Sequence, residues 1–488
     1  MSLLPQTVPV VSRQEGAPPK HAQERQFAAN WHSCAPALVM LLLVSQSSAV
    51  FDLASGTCEH DIDCQLNGVC DADQGSVGRC HCDPAWGGDD CGDLQLEVGK
   101  VVYGCYPTDP LQCNYSAWGG GPPVFDHKKN VWVLFQDRIA NHCGLSEWSY
   151  MSTIVRTSAT DPEGPYKYDA TILGAPAHNA YYVHDPKSGK HLIYHIHSAI
   201  RDEGARPLRT DCTNGTTPRT PGLTGESELD RARAADIYCD EDEEGSTCLP
   251  PVIHEADTLD GPWERVSIEG SYPRQFPGSA ASRGLMITGT KNPAPVIFEN
   301  GTVLALYKNN RTIWAMRAPH YKGPYEAIGE IFHPSREGRA RHGAPVHVQQ
   351  EDPTLWRDAR GNFHALMHPL GGTARGHGFS TDGVTWHWAD PVLRGRPAFH
   401  ASITTPDGKV VSLPDAERLR VWVNPKTSQP ELFFYASGGA HQPVAADGVQ
   451  RSFTVVQRIR TAAPSSQERD EGQPSASGSR ALTPSDVI

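Results

Sequence analysis

An all-β chain is predicted by three observations. The 488 residues include 45 Gly and 40 Pro, while charged residues make up only 20%, a composition that suits short strands and tight turns better than helices. A pattern of a polar or small head, a β-rich run, a turn and a second β-rich run recurs five times. Six cysteines lie between Cys58 and Cys91, in a segment too short to build a core of its own, so disulfides must hold it. Together these predict a five-bladed β-propeller preceded by a small disulfide-rich module.

In chain order, residues 1–49 read as a leader. The apolar run from Ala35 to Val44 falls well short of the roughly 20 residues that span a bilayer. With Lys20 and Arg25 upstream and Ser47-Ser48-Ala49 just after it, the run reads as a secretory signal, with a short signal-anchor or a start codon assigned too early as the alternatives. Removing the leader also removes Cys34 and leaves twelve cysteines of the 13, an even number that suits an oxidising compartment. A secreted or extracellular location is expected, with a signal-anchored membrane protein as the alternative. Sequons at Asn114, Asn214, Asn300 and Asn310 agree with it.

Residues 55–93 hold the cysteine-rich module, "CEHDIDCQLNGVCDADQGSVGRCHCDPAWGGDDC". Spacing alone does not choose among fifteen connectivities. The ending Cys80-His-Cys82, five residues, Gly88, two residues, Cys91 resembles the C-terminal signature of epidermal-growth-factor-like domains. That resemblance implies pairing of Cys58 with Cys70, Cys64 with Cys80, and Cys82 with Cys91. Calcium-binding members carry an acidic cluster before the first cysteine, whereas this chain reads "LASGT", so no calcium is expected there. The module reads either as an adhesion or spacer unit with extracellular protein contacts, or as a disulfide cap on the next domain.

Residues 100–460 hold the repeats: "GGPPVFDHKKNVWVLFQD" from Gly120, "HNAYYVHDPKSGKHLIYHI" from His178, "KNPAPVIFENGTVLALYK" from Lys291, "EDPTLWRDARGNFHALMH" from Glu351 and "AERLRVWVNPKTSQPELFFYA" from Ala416. Four are followed by a Gly turn closing on an aromatic residue: "DPEGPY" at Asp161, "LDGPW" at Leu259, "YKGPY" at Tyr321 and "STDGVTW" at Ser380. A propeller accommodates such units without a long free sheet edge. The longer gap after the second copy reads as an insertion carrying the acidic run Asp240–Glu244 with Cys212, Cys239 and Cys248. Cys105 with Cys113, and Cys239 with Cys248, are close enough in sequence to close short loops; the pairing of these and Cys143 stays open. Residues 461–488 are too polar to pack and are expected to be disordered.

In a propeller the heads of the innermost strands converge at one end of the axis. This would bring Glu351 and Asp352 to the same depression as His178, Asn179, Lys291, Asn292, Glu417 and Arg418. From about residue 115 to 460 the layout resembles the five-bladed propeller glycosidases, the arabinanase and β-xylosidase group of glycoside hydrolase family 43. That resemblance implies inverting hydrolysis of a glycosidic bond, with Asp352 matching the Asp-Pro type of head and Glu417 the only glutamate heading another copy. The first copy opens "WGGGPP" where the family has its base, and the second and third open with His178-Asn179 and Lys291-Asn292, so a three-acid site does not carry over.

The expected catalytic set is therefore Asp352 as base, with Glu417 or His178 as acid and Glu351 beside them; turn capping and ion pairing are the ordinary uses of such residues. Lys291, Asn292, Asn179 and Arg418 would position substrate, and Trp118, Trp148 and Phe399 would stack on sugar rings. His195 and His197 share a strand face, but no third ligand stands at a metal spacing; no cofactor is expected, with a metal on the propeller axis as the alternative that no spacing supports. "GGTARGHG" lacks a phosphate-loop signature and reads as a flank of the depression through Arg375 or His377. A formal charge of −13 with no basic stripe argues against nucleic acid as a partner. The expected partner is a carbohydrate or polysaccharide, acted on by a secreted glycoside-hydrolase-like protein. The rival is a non-catalytic carbohydrate-binding or adhesion protein on the same propeller.

Overall fold

The structure is a computed structural model, and it describes residues 57–72, 77–106, 115–175, 177–196, 252–268, 291–309, 312–332, 350–369, 373–438, 449 and 451–461. The leader, Cys113, Cys212, Cys239, Cys248, His197, the acidic run, the polar tail and the sequons at Asn114, Asn214 and Asn310 lie outside them. Among the described residues the architecture is all-β, with only short helical turns at Leu145–Glu147, Trp148–Met151 and Pro391–Arg394. None of the described helices is long and apolar enough to cross a membrane.

Five antiparallel sheets carry the chain, and each starts with a strand that bears one of the repeat heads, glycine in the first and polar in the other four. The first runs Ser116–Gly120, Val131–Ile139, Ser152–Ala159, Lys167–Leu173, with Val124–Asp126 added beside Val131–Ile139. The second runs His178–His184, His191–Ile196, Val252–Ala256, Glu264–Arg265, and the third Lys291–Ile297, Val303–Asn309, Thr312–Ala318, Glu326–Phe332. The fourth runs Gln350–Arg357, Phe363–Pro369, Gly376–Ser380, His387–Ala389. In the fifth, Glu417–Val423, Pro430–Gly438 and Ser452–Arg458 are completed by Lys100–Gly104, which precedes the first sheet in the chain. Pairing the last sheet with a strand from the start of the domain covers an edge that would otherwise be open.

The five first strands touch one another in a ring, each contacting the next and the fifth returning to the first. The apolar core follows the same circuit. Phe135, Ile154, Tyr182 and Ile193 join the first and second sheets, while Tyr181, Tyr194, Leu306, Trp314, Leu355 and Met367 join the second, third and fourth. Trp356, Leu366, Leu419 and Phe433 join the fourth and fifth, and Val102, Leu134, Val155 and Phe434 the fifth and first. Alternate residues of each strand enter the two neighbouring layers, as period-2 side-chain geometry requires.

The glycine-aromatic elements all connect the third strand of a sheet to its fourth. Three fold onto themselves: Tyr166 Oη donates to the Pro162 carbonyl at 2.7 Å, Tyr325 Oη to that of Tyr321 at 2.8 Å, and the Trp386 indole N–H to that of Gly383 at 3.0 Å. The fifth sheet has no such element because its fourth strand comes from residues 100–104, on the far side of the chain.

The N-terminal module is a three-stranded sheet of Thr57–Cys58, Gly78–Cys82 and Gly68–Cys70, followed by the pair Trp86–Gly87 and Asp93–Leu94. Its disulfides join Cys58 to Cys70, Cys64 to Cys80 and Cys82 to Cys91. Cys105 and Cys143 are also disulfide-bonded.

Candidate functional site

Every first strand is bulged near its start. The register slips between His178 and Tyr181, Lys291 and Ala294, Glu351 and Thr354, Glu417 and Arg420, and Ala117 and Gly120. The residue entering the bulge is left-handed in four of them: Asn179 at φ 64°, Asn292 at 55°, Asp352 at 51° and Arg418 at 55°. Non-glycine residues rarely adopt this conformation, and when repeated at one register position it marks a device that re-aims side chains. In the first sheet the bulge carries Gly119, at φ 71°, and an added Cβ there would come within 2.6 Å of Arg418 Cβ. The glycines of "WGGGPP" thus let the first strand approach the Arg418 head.

Asp352 lies at the centre of the resulting cluster and is 0% exposed. Its Oδ2 accepts from His368 Nε2 at 2.8 Å and from the Arg418 backbone N–H at 3.1 Å, and its Oδ1 pairs with the Arg418 guanidinium. Burial pushes this carboxyl up, but Arg418 and His368 outweigh it and hold Asp352 well below the usual carboxylate range. For His368, burial pushes down; the Asp352 hydrogen bond and the charges of Asp352, Glu417 and Glu351 prevail and raise it to about 9. Its Nδ1 faces the Pro369 carbonyl at 2.9 Å. Both ring nitrogens meet acceptors, so the ring carries both hydrogens.

Glu351 pairs with Lys308, and its Oε1 lies 3.9 Å from His368 Nε2. Glu417 is half-buried, and burial, with Asp352 and Glu351 adding to it, pushes its carboxyl up against the pull of His368 and Arg418. No hydrogen bond among the described residues engages it. Ligand-type atoms of Glu351, Asp352, His368 and Glu417 all lie within 4.8 Å of one another, a spacing that could close on a cation.

On the other side of Arg418, His178 sits 1% exposed. Arg418 Nη2 faces its Nε2 at 3.4 Å, while Nδ1 meets Ser152 Oγ at 2.8 Å and Asp137 Oδ2 at 3.2 Å. Arginine only donates, so Nε2 is the acceptor and Nδ1 carries the hydrogen. Asp137, on the second strand of the first sheet, also accepts from the Asn179 N–H at 2.7 Å and the Ala180 N–H at 3.2 Å. Burial nevertheless pushes it up to about 7. The Trp148 ring covers His178 at 4.7 Å between centroids.

The structure therefore brings Glu351, Asp352, Glu417, Arg418, His178 and Trp148 together, and changes several expected roles. Asp352 is enclosed and cannot meet a water as it stands. The nearest ligand-type oxygens of Asp352 and Glu417 lie within 4.8 Å of each other. Asn179 and Asn292 are buried and bonded to each other at 2.9 Å, with Arg420 donating to Asn179 Oδ1 at 2.7 Å, so they join inner strands instead of facing substrate. Lys291 starts its strand, but its side chain lies outside the described residues. Trp118 is 4% exposed and Phe399 1%; Phe399 packs on Phe433 in the core between the fourth sheet, the fifth sheet and the module.

His195 is buried with His254, 2.9 Å away. Arg375 donates to the Leu413 and Pro414 carbonyls at 3.0 and 2.9 Å, and His377 bonds Gln65 of the module; the glycine-rich loop is thus not a flank of the depression. Asp137, His368 and Lys308 are the residues sequence reasoning missed. All three lie near the end of a second strand, and Lys308 and His368 pair in register with the heads Lys291 and Glu351. A polar residue closing an apolar run, as in "LFQD", "ALYK" and "ALMH", was the available signal.

No protein-family model matches the sequence, and no curated protein is similar to it. Among solved structures, a family 117 glycoside hydrolase of the marine bacterium Zobellia galactanivorans is similar over 75% of this chain and 91% of its own, at 13% identity and a TM-score of 0.45. A protein of unknown function from Dyadobacter fermentans covers 75% and 99% at 13% identity and 0.42. An endo-arabinase from Bacteroides thetaiotaomicron covers 74% and 97% at 12% identity and 0.35. Likeness at this level carries no inference about the site.

Proposed function

We propose that this chain is an extracellular glycoside-hydrolase-like protein, a five-bladed β-propeller behind an EGF-like module, that acts on a polysaccharide or other glycan through Glu351 and Glu417. The observation that carries the reading is the pair itself. Glu417 is raised toward its protonated form and free of hydrogen bonds among the described residues, as a general acid must be. Glu351 faces it from the neighbouring head, with nearest oxygens within 4.8 Å. Glycosidase carboxyl pairs stand about 5–5.5 Å apart when configuration is retained and about 6.5–9.5 Å when it is inverted; we take the closer arrangement as the proposal, in place of the inversion expected from the sequence, and the anomer measured below decides it.

In that mechanism the Glu351 carboxylate bonds to the anomeric carbon while the glycosidic C–O bond breaks and Glu417 gives its proton to the leaving oxygen. A water then gives a proton back to Glu417 and its oxygen to the anomeric carbon, freeing Glu351 and a sugar of unchanged configuration. Asp352, His368 and Arg418 set the charge around Glu417, His368 lies 3.9 Å from Glu351, and Trp148, on His178, would offer an aromatic face.

A non-catalytic glycan-binding protein is the second reading, favoured by the sealing of Asp352 and the pairing of Glu351 with Lys308. The test is an oligosaccharide-hydrolysis screen of the full chain with Glu417→Gln and Glu351→Gln in parallel, with proton NMR of the first-formed anomer. Sugar release that falls about 10²–10⁴-fold in either variant, with a retained anomer, supports the enzyme. An inverted anomer removes Glu351 as nucleophile. Glycan binding that is equal in all three proteins, without release, establishes the binding protein.

A further inference from the structure

The disulfide-rich module is docked on the fourth sheet, and the contact contains two buried histidines that the proposed chemistry does not use. Trp86 lies against His377 with ring centroids 4.9 Å apart, and stacks on Trp356 at 6.5 Å and 11°. His377, 0% exposed, bonds Gln65 Oε1 through Nδ1 at 2.9 Å and His364 Nδ1 through Nε2 at 3.2 Å. Gln65 Oε1 accepts, so His377 Nδ1 carries a hydrogen. One further hydrogen fits between the two rings, and a second would set two N–H groups facing each other at 3.2 Å.

The charges around this pair divide the interface into two ends. Beyond His364 stand Asp358, with Oδ2 at 3.4 Å from His364 Nε2, and Arg360, which donates to the carbonyls of Gly68 and Leu66 and pairs with Asp83 at 2.5 Å. On the other side, Arg394 and Arg396 grip Asp90 and Asp93 at 2.7–2.9 Å. Arg394 and Asp90 face His377 with opposite sign, and His387 lies beyond Phe379, which stacks on His377. No carboxylate bonds His377 itself among the described residues.

We propose that the His364–His377 pair is an acid-released latch, which loosens residues 64–70 of the module on the fourth sheet while the ion pairs of the neighbouring Asp90 and Asp93 stay closed. Burial, followed by the nearby His364 and Arg394 charges, pushes His377 well below its ordinary value of 6.5 when the module is docked. The undocked ring binds a proton more readily, so docking is complete above about pH 6.5 and is weakened up to tenfold for each pH unit below it. Asp90 is held down at about 2 in spite of burial, by Arg394 and Arg396. That clamp survives through the range in which the latch opens. The inference stands apart from the proposed catalysis, because it concerns a surface that holds none of the reacting groups.

The test is hydrogen exchange of the full chain between pH 7.5 and 4.5, corrected for intrinsic rates, with Gln65→Glu and His377→Gln beside the natural sequence. Protection of residues 64–70 should fall below pH 6.5 while that of 88–94 holds. In Gln65→Glu a carboxylate opposite Nδ1 tolerates the charged ring, so the loss should move down by about one pH unit. Uniform protection down to pH 4.5, simultaneous loss at both ends, or an unshifted transition in Gln65→Glu would each overturn the latch. His377→Gln should abolish the transition; if that variant does not fold, Gln65→Glu still decides.

Discussion

Two histidines of the fourth sheet, on adjacent strands, show how differently the same burial can end. His368 is 3% exposed and His377 0%, and for both the largest influence is desolvation, which disfavours the charged ring. His368 meets Asp352 at 2.8 Å with Glu351 and Glu417 nearby, and is raised to about 9. His377 meets a neutral amide and another imidazole, and is pushed down. Burial therefore fixes the stakes while the partner fixes the sign. The central cluster is built around permanent charge; the His377 contact within the module interface is built around its absence.

Breaking the comparison at its strongest point means removing the carboxylate. Asp352→Asn keeps the shape but leaves His368 and Arg418 facing one another without their common partner, and should cost about 3–5 kcal/mol; denaturant unfolding measures it. The same variant should bring the His368 titration below 6.5, making it resemble His377, and NMR of the ring protons reads that directly. A smaller effect separates the two by pH. A folded value raised to about 9 over 6.5 means that His368 contributes fully below pH 6.5, and that its contribution, on the order of 3 kcal/mol, is lost as pH rises toward 9. His377, shifted the other way, loses its contribution as pH falls below 6.5. Stability should peak between the two arms. His368→Gln should flatten only the alkaline arm and His377→Gln only the acid one; a profile that moves on both sides in either variant would refute the separation.

This asymmetry also marks what could be read from the chain. The heads were legible because a polar pair before an apolar run repeats at His178, Lys291, Glu351 and Glu417, and the turns because a glycine closing on Tyr166, Trp263, Tyr325 or Trp386 needs only local contacts. Their joint role was less so. Asp352 looked like a base because its neighbours in sequence are a glutamate and a proline, whereas its fate is set by Arg418, on another sheet, and by His368, across the strand pair. Asp137 and Lys308 each close an apolar run, but nothing local says which head they meet. His377 was placed beside the wrong surface because its partner, Gln65, is 312 residues away, and the docking of one folded unit on another leaves no periodicity in either.

At the module's clamp, burial differs between two otherwise similar arginines. Both bridge Asp90 and Asp93, but the Arg394 side chain is 10% exposed and that of Arg396 36%. Water screens the second, so Arg396→Ala should cost well under 1 kcal/mol and its effect should vanish in high salt. Arg394→Ala strands two half-buried carboxylates and should cost more, with little salt dependence. Denaturation of both variants at low and high ionic strength makes the measurement. Equal losses with equal salt dependence would mean that the clamp acts by charge alone, and that the dry geometry distinguishing the His377 end from the solvent does not extend to this one.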